Sequence, residues 1–189
     1  MQVEVLDAST LTDAKAQAIA ELIVKIWPKP DVTVEMRKAR GVEMLCDYAG
    51  PHEQRPRAFV VWQDDRVIAH AAFVTRTIGT EQGELTIAGL ARVCTDPESR
   101  GMGLGPMVVR PVFDLVDEGV FPFSLFQTSR EVQPFYERLG CCEIDNPIIN
   151  SFAEVEDEEK SPFKDAVAMR YPSSGKWPTG EIDLRGPGY

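Results

Sequence analysis

The strongest local signal in the sequence is the segment 93-VCTDPESRGMGLG-105, which runs from a predicted strand through a glycine-rich loop into a predicted helix. Gly101, Gly103 and Gly105 leave backbone N–H groups uncovered where the chain turns into that helix. Such groups at a helix N-terminus form an anion site, and Arg100 adds a cation beside them. Glycines before a helix also occur as plain turn residues, so the surrounding sequence decides between the two interpretations.

Two common phosphate-binding patterns do not fit this loop. A P-loop requires Gly-Lys-Ser/Thr at the start of the helix, whereas Gly105 is followed by Pro106 and Met107. A dinucleotide-binding fingerprint requires a third glycine where Pro106 stands, early in a βαβ unit. Here the loop comes late, after strands that are predicted to be antiparallel.

Hydrophobic periodicity predicts the elements around the loop. The predicted helices cover residues 11–27 (capped by Ser9 or Thr10), 33–48, 104–118 and 130–139. The predicted strands cover residues 2–6, 57–63, 66–77, 84–95, 123–127, 141–144 and 166–171. Gly119 is expected to end the third helix, and Pro111 predicts a kink or a break in it.

The resulting order is β-α-α-β-β-β-α-β-α-β-β, which predicts a mixed α/β fold with a largely antiparallel central sheet flanked by helices. The length of 189 residues suits a single domain, residues 1–189. Residues 172–189 are rich in proline and glycine and form a tail that either packs on the body or frays.

Two motifs resemble the GNAT acetyltransferase superfamily. The pattern Arg100-x-x-Gly103-x-Gly105 after a strand resembles the loop that cradles the pyrophosphate of acetyl-CoA in that family. The segment 134-PFYERLGC-141, at the family's spacing from the loop, resembles a helix end whose tyrosine often lies near the coenzyme sulfur. The resemblance covers residues 57–145 well and implies an N-acetyltransferase with acetyl-CoA as cosubstrate and a small primary amine as acceptor.

The resemblance also implies roles for particular residues. The strand that carries Val93 would splay from its neighbour and bind pantetheine, and the N–H of Val93 or of a residue beside it would polarise the thioester carbonyl. Tyr136 would act as the general acid for the leaving thiolate. The coenzyme-binding set comprises Val93, Cys94, Thr95, Arg100, Gly101, Met102, Gly103, Leu104 and Gly105.

The sequence differs from several members of the family at the position expected for the general base. Several GNAT enzymes carry a glutamate on the strand before the loop, but residues 88–91 here read Ala-Gly-Leu-Ala, and Arg92 follows. The alternatives are a water chain to a distant carboxylate, Glu84, His70, or the terminal carboxylate of Tyr189. An amine of low pKa needs no strong base. His70 is also consistent with an ordinary hydrogen-bonded histidine on a strand.

Finer similarities concern the acceptor. Residues 67–74 are similar to a strand of aminoglycoside 2′-N-acetyltransferases, and the segment from Gly180 to Tyr189 is similar to the end of those enzymes. Nodulation N-acyltransferases share a weaker similarity around the glycine loop. The acidic run Glu154, Glu156, Asp157, Glu158 and Glu159 is either an attractive surface for a polycationic amine or an ordinary solvated loop.

Composition limits the partners. The net charge of −10 disfavours nucleic acid, which needs a basic face, and favours a cationic acceptor. Four cysteines and two histidines show no metal-ligand spacing, so we expect reduced thiols and no metal. No long apolar run or signal-like N-terminus is present, which predicts a cytoplasmic protein without a membrane partner. Many relatives form homodimers, but no feature of the sequence requires one.

Two rival functions remain open at this level. The first is a GNAT module that binds an acyl-CoA without turning it over, which the missing glutamate favours. The second is an N-acyltransferase that uses a longer acyl donor and needs an apolar channel near residues 123–126.

Overall fold

The strands and helices form a mixed α/β fold with a large, mostly antiparallel sheet and flanking helices, as predicted. The computed structural model describes residues 1–153 and 162–189, so the acidic run at 154–159 lies outside the described residues. The chain separates into two compact units. The first contains Met1–Val74 and Ala91–Val112, and the second contains Thr75–Leu90 and Phe113–Tyr189. The assignment of the whole chain to one domain stays a prediction.

The first unit is built on two whole strands, parts of two others, two whole helices and the start of a third. Its elements are β1 (Val3–Leu6), α1 (Asp13–Ile26), α2 (Val34–Cys46), β2 (Arg57–Gln63), the first part of β3 (Arg66–Thr80), the last part of β4 (Gly83–Thr95) and the first part of α3 (Leu104–Asp117). β2 is antiparallel to β1, with Val3 opposite Val61, and to β3, with Arg57 opposite Phe73. Ile19, Leu22 and Ile23 of α1 are buried in a core cluster that also contains residues of these strands.

The helix caps differ from the prediction for α1. The hydroxyl of Thr12 accepts a hydrogen bond from the N–H of Lys15 and is the N-cap. The predicted caps, Ser9 and Thr10, are wrong because both donate their N–H groups to Oδ1 of Asp7 in a preceding turn. The second predicted helix forms as α2, and Thr33 caps it.

Pro111 does not break α3, which runs without interruption from Leu104 to Asp117. Val108 and Val109 before the proline and Val112 after it are fully buried. Burial on both sides of Pro111 stabilises the continuous helix against the lost backbone hydrogen bond. Gly119 ends the helical segment at φ 79°, as predicted.

The second unit contains the remaining strands and a short helix. These are β5 (Ser124–Thr128), α4 (Gln133–Glu137), β6 (Cys142–Glu143), β7 (Ile148–Ile149), β8 (Val167–Tyr171) and β9 (Ile182–Asp183), together with the rest of β3, β4 and α3. β8 is antiparallel to β5 and β6, whereas β4 is parallel to β5. The helix predicted over residues 130–139 and the strand predicted over 141–144 are shorter than expected, and β7 and β9 were not predicted.

The C-terminal tail packs on the rest of the second unit and does not fray. Ile182 and Leu184 are fully buried, and β9 pairs with β3 and with β7. The hydroxyl of Tyr189 donates to the carbonyl of Leu125 at 2.7 Å. The guanidinium of Arg76 lies 5.6 Å from the centre of the Tyr189 ring. These contacts give the glycine- and proline-rich tail a fixed position.

Among the helices in the described residues, none has the length and apolar character to cross a membrane.

Candidate active site

A distortion in β4 precedes the predicted coenzyme segment. Arg92 has a φ of 53°, a left-handed conformation that is uncommon for a residue with a side chain. Nδ1 of the buried His70 lies 2.8 Å from the carbonyl oxygen of Arg92. Burial lowers the pKa of His70 to about 4, so the ring is neutral at pH 7. Because a carbonyl only accepts, the proton is assigned to Nδ1, and His70 holds the distorted backbone in place.

Beyond this distortion, β4 buries the side chain of Cys94 and leaves those of Val93 and Thr95 half-buried. The parallel ladder with β5 pairs Ala88 with Ser124 and Gly89 with Leu125, well before Val93. The side chain of Cys94 is buried in the core of the first unit, and burial raises the pKa of its thiol to about 12. Cys94 therefore stays a protonated thiol and contributes only its backbone to any site.

Asp96 anchors the start of the loop. Its nearly buried carboxylate accepts hydrogen bonds from Lys25 Nζ at 2.8 Å and from Arg66 Nη2 at 3.1 Å. It also accepts from the N–H of Glu98 at 3.1 Å, while its own N–H donates to the carbonyl of Ile68 at 2.8 Å. The hydrogen bond from Lys25 is the main cause of the lowered pKa of Asp96. This anchor was not predicted, because its basic partners are distant in sequence.

The glycine loop has the geometry of an open anion cradle. Gly101 and Gly103 have φ values of 81° and 74°, and a Cβ on either would meet no atom within 4 Å. Arg100 and Met102 are exposed, whereas the side chain of Leu104 is buried and anchors the start of α3. The loop therefore presents backbone N–H groups to solvent beside one cation.

Tyr136, the predicted general acid, lies in the second unit on α4. Its ring is buried and packs against Phe126 and Phe135, with ring centres 4.6 Å and 4.8 Å away. Its carbonyl oxygen accepts from the N–H groups of Leu139 and Cys141, which fixes the end of the helix. The structure thus places residues 93–105 together in the first unit and Tyr136 in the second.

The candidate bases have structural partners. Glu84 forms an ion pair with Arg185, and a main-chain carboxylate oxygen of Tyr189 accepts from Gln127 Nε2 at 3.3 Å. His70 holds the carbonyl of Arg92, which agrees with its interpretation as a hydrogen-bonded strand histidine.

The described residues contain no group of three or more histidine, cysteine, aspartate or glutamate side chains arranged to hold a metal ion. The apolar side chains at the proposed acyl channel are packed against aromatic neighbours. Phe123 contacts Trp177 and Phe126 contacts Phe113.

The sequence matches the family model of the acetyltransferase (GNAT) domain over residues 7–144. The chain therefore belongs to the GNAT acetyltransferase family. Comparison with curated proteins gives no match.

Solved structures of GNAT proteins share the fold. A GNAT acetyltransferase of Staphylococcus aureus Mu50 has a TM-score of 0.58 at 10% identity, and the match covers 91% of this chain and 99% of that one. Glucosamine-6-phosphate N-acetyltransferase from Arabidopsis thaliana has a TM-score of 0.56 at 18% identity, covering 74% and 91%. A GCN5-related N-acetyltransferase from Kribbella flavida has a TM-score of 0.56 at 21% identity, covering 74% of this chain and 33% of that one. This chain thus spans about a third of the Kribbella protein, and identities this low support the fold alone.

Proposed function

We propose that this protein transfers an acetyl group from acetyl-CoA to the primary amine of a small molecule by direct attack. The observation that carries the proposal is the exposed glycine loop, with two residues at positive φ and open space above them, directly after a distorted strand. Membership of the GNAT acetyltransferase family supports the same chemistry.

The loop suits a pyrophosphate in a protein whose net charge is −10. Long-range attraction would not bring a polyanion to such a protein, so binding depends on short-range hydrogen bonds. The backbone N–H groups of residues 101–105, at the N-terminus of α3, supply them, and Arg100, whose own N–H donates to the carbonyl of Pro97, supplies one cation. A side chain at Gly103 would occupy the space that a phosphate needs.

Bound acetyl-CoA supplies the thioester carbonyl that the amine attacks. In this proposal the N–H of Val93, or of a residue beside it, donates to that carbonyl oxygen and stabilises the charge that develops on it. Tyr136 donates its hydroxyl proton to the departing sulfur. The amine loses a proton when the new C–N bond forms, and solvent returns a proton to Tyr136, so the products are the acetamide and coenzyme A as a thiol.

The proton from the amine needs a route other than a glutamate just ahead of the loop, because residues 88–91 of β4 carry no ionisable side chain. A water relay or an acceptor of low pKa meets this need. With no dedicated base, kcat/KM should rise with pH until the free amine predominates, and its midpoint should follow the pKa of the acceptor.

Calorimetric titration with acetyl-CoA tests the coenzyme site, and thiol release with a panel of amines tests the reaction. We expect micromolar binding and amine-dependent thiol release. Binding without thiol release from any amine would support the non-catalytic module instead. Absence of acetyl-CoA binding, together with binding of a longer acyl-CoA, would support the longer donor.

A further inference from the structure

Three arginines converge beside His70 in the first unit. Arg37 and Arg40 lie on α2, and Arg92 lies at the distortion of β4. Arg92 Nη2 donates to the carbonyl of Arg40 at 3.4 Å, and Arg92 Nη1 would lie 3.5 Å from a Cβ at Gly41. The guanidinium of Arg92 therefore rests on the α2 backbone, next to the two arginines of that helix.

The positive charge of this cluster is poorly balanced within the described residues. Arg37 Nε is buried and has no hydrogen-bond partner there. The neighbouring Lys38 is neutralised by Asp13 at 2.7 Å and by Glu35 at 3.6 Å. The exposed Glu43 is the carboxylate that acts on Arg92. Among the described residues, the guanidinium of Arg92 thus has two other guanidinium groups and one solvated carboxylate near it.

Such an arrangement is unfavourable without a counter-ion. Burial lowers the pKa of Arg92, and the charges of Arg37 and Arg40 lower it further. Burial and the charge of Arg40 lower the pKa of Arg37 in the same way. A local excess of positive charge in a protein with a net charge of −10 runs against the overall composition. An anion held at the solvent-facing side of the cluster would relieve the repulsion between the guanidinium groups.

We propose that Arg37, Arg40 and Arg92 bind an anionic group, a carboxylate or a phosphate, carried by the acceptor amine. This inference rests on the proposed function and replaces the purely cationic acceptor that the overall charge suggested. The cluster adjoins the predicted thioester position, because Arg92 directly precedes Val93, whereas the pyrophosphate loop begins only at Arg100. The cavity lined by Arg37, Arg92 and His70 is only about 10 Å³, so the anion binds on the exposed side, where Arg40 lies.

The test compares acceptors that differ only in the anion. One arm uses α-amino acids against their amides, and the second uses an amino sugar phosphate against the free amino sugar. The wild type should show a kcat/KM at least about tenfold higher for the charged member of one pair. That arm then identifies the anion as a carboxylate or a phosphate.

Arg37→Gln and Arg92→Gln should abolish this preference while acetyl-CoA affinity stays within about twofold. Arg92→Lys should restore part of it, since lysine keeps the charge but loses the planar fork. Arg55→Gln, the same chemical change elsewhere in the first unit, is the matched control and should keep the preference. Equal kcat/KM for both members of both pairs, or an unchanged preference in Arg37→Gln and Arg92→Gln, would overturn the inference.

A second measurement separates this inference from the proposed function. N-acetyl amino acids and their amides are titrated into the protein saturated with coenzyme A, so that the glycine loop is already occupied. If no amine is acetylated, tighter binding of the carboxylate member by the wild type but not by Arg92→Gln still supports the anion site. Equal binding of carboxylate and amide, together with equal binding of N-acetyl amino sugars with and without phosphate, refutes it.

Discussion

Acid titration of His70 provides a quantitative test of the distorted strand. The imidazole is 1% exposed, and burial lowers its pKa from 6.5 to about 4. As the pH falls through 6.5, His70 binds a proton in the unfolded chain, whereas in the folded chain it stays neutral until about pH 4. The free energy of unfolding therefore falls between these two pH values. Since one pKa unit corresponds to about 1.4 kcal/mol, His70 should remove about 3 kcal/mol of unfolding free energy between pH 7 and pH 4.

Urea unfolding at a series of pH values measures this loss, and a variant isolates it from the carboxylates that titrate in the same range. His70→Asn places an amide donor near the position of Nδ1 and does not titrate. The wild type should lose about 3 kcal/mol more than His70→Asn as the pH is lowered. His52→Asn removes the other, exposed histidine and should behave as the wild type does. Parallel stability curves for wild type and His70→Asn would refute the buried neutral ring.

Three further predictions concern the loop and the general acid. Gly103→Asp should abolish acetyl-CoA binding in calorimetry. The control Gly119→Asp, at a similar φ and with equally open surroundings, should keep it. Equal affinity of the two folded variants would exclude the loop as the phosphate site. Tyr136→Phe should lower kcat by about 10²-fold with coenzyme affinity nearly unchanged, and full turnover would remove the tyrosine from the reaction. Asp96→Ala should lower the unfolding free energy by about 2 kcal/mol, since its basic partners stay partly solvated, and should weaken acetyl-CoA binding. Asp96→Asn still accepts from the N–H of Glu98, so it should lose less unfolding free energy and less acetyl-CoA affinity than Asp96→Ala. Unchanged stability and affinity in Asp96→Ala would contradict the anchoring role.

Much of the fold follows from local patterns. Alternation and turn chemistry locate β2 and the start of β3, because an antiparallel strand pair with a tight turn at Asp64 is specified by adjacent residues. Helix α1 follows from its apolar stripe, although its cap was misplaced by two or three residues. Thr12 and the preceding Ser9 and Thr10 are all favourable capping residues, and the turn that Asp7 forms decides among them.

Hydrophobic periodicity could not predict the two shortest unpredicted strands, β7 and β9. β7 and β9 have two residues each, too few to show an alternating pattern. Their pairing depends on the tail reaching the sheet, which the composition of residues 172–189 does not reveal. Pro111 shows the opposite case, in which a strong local rule is overridden by burial on both sides of the residue.

The glycine loop was identifiable from residue types alone, because positive φ and open space at Gly101 and Gly103 depend on glycine itself and on its immediate neighbours. The burial of Asp96 between Lys25 and Arg66, and the gathering of three arginines beside His70, depended instead on the packing of α1 and α2 near β3 and β4. Partners separated by tens of residues meet only when strand register and helix packing are established. Side-chain charges that look unremarkable along the chain therefore acquire their meaning in the folded protein.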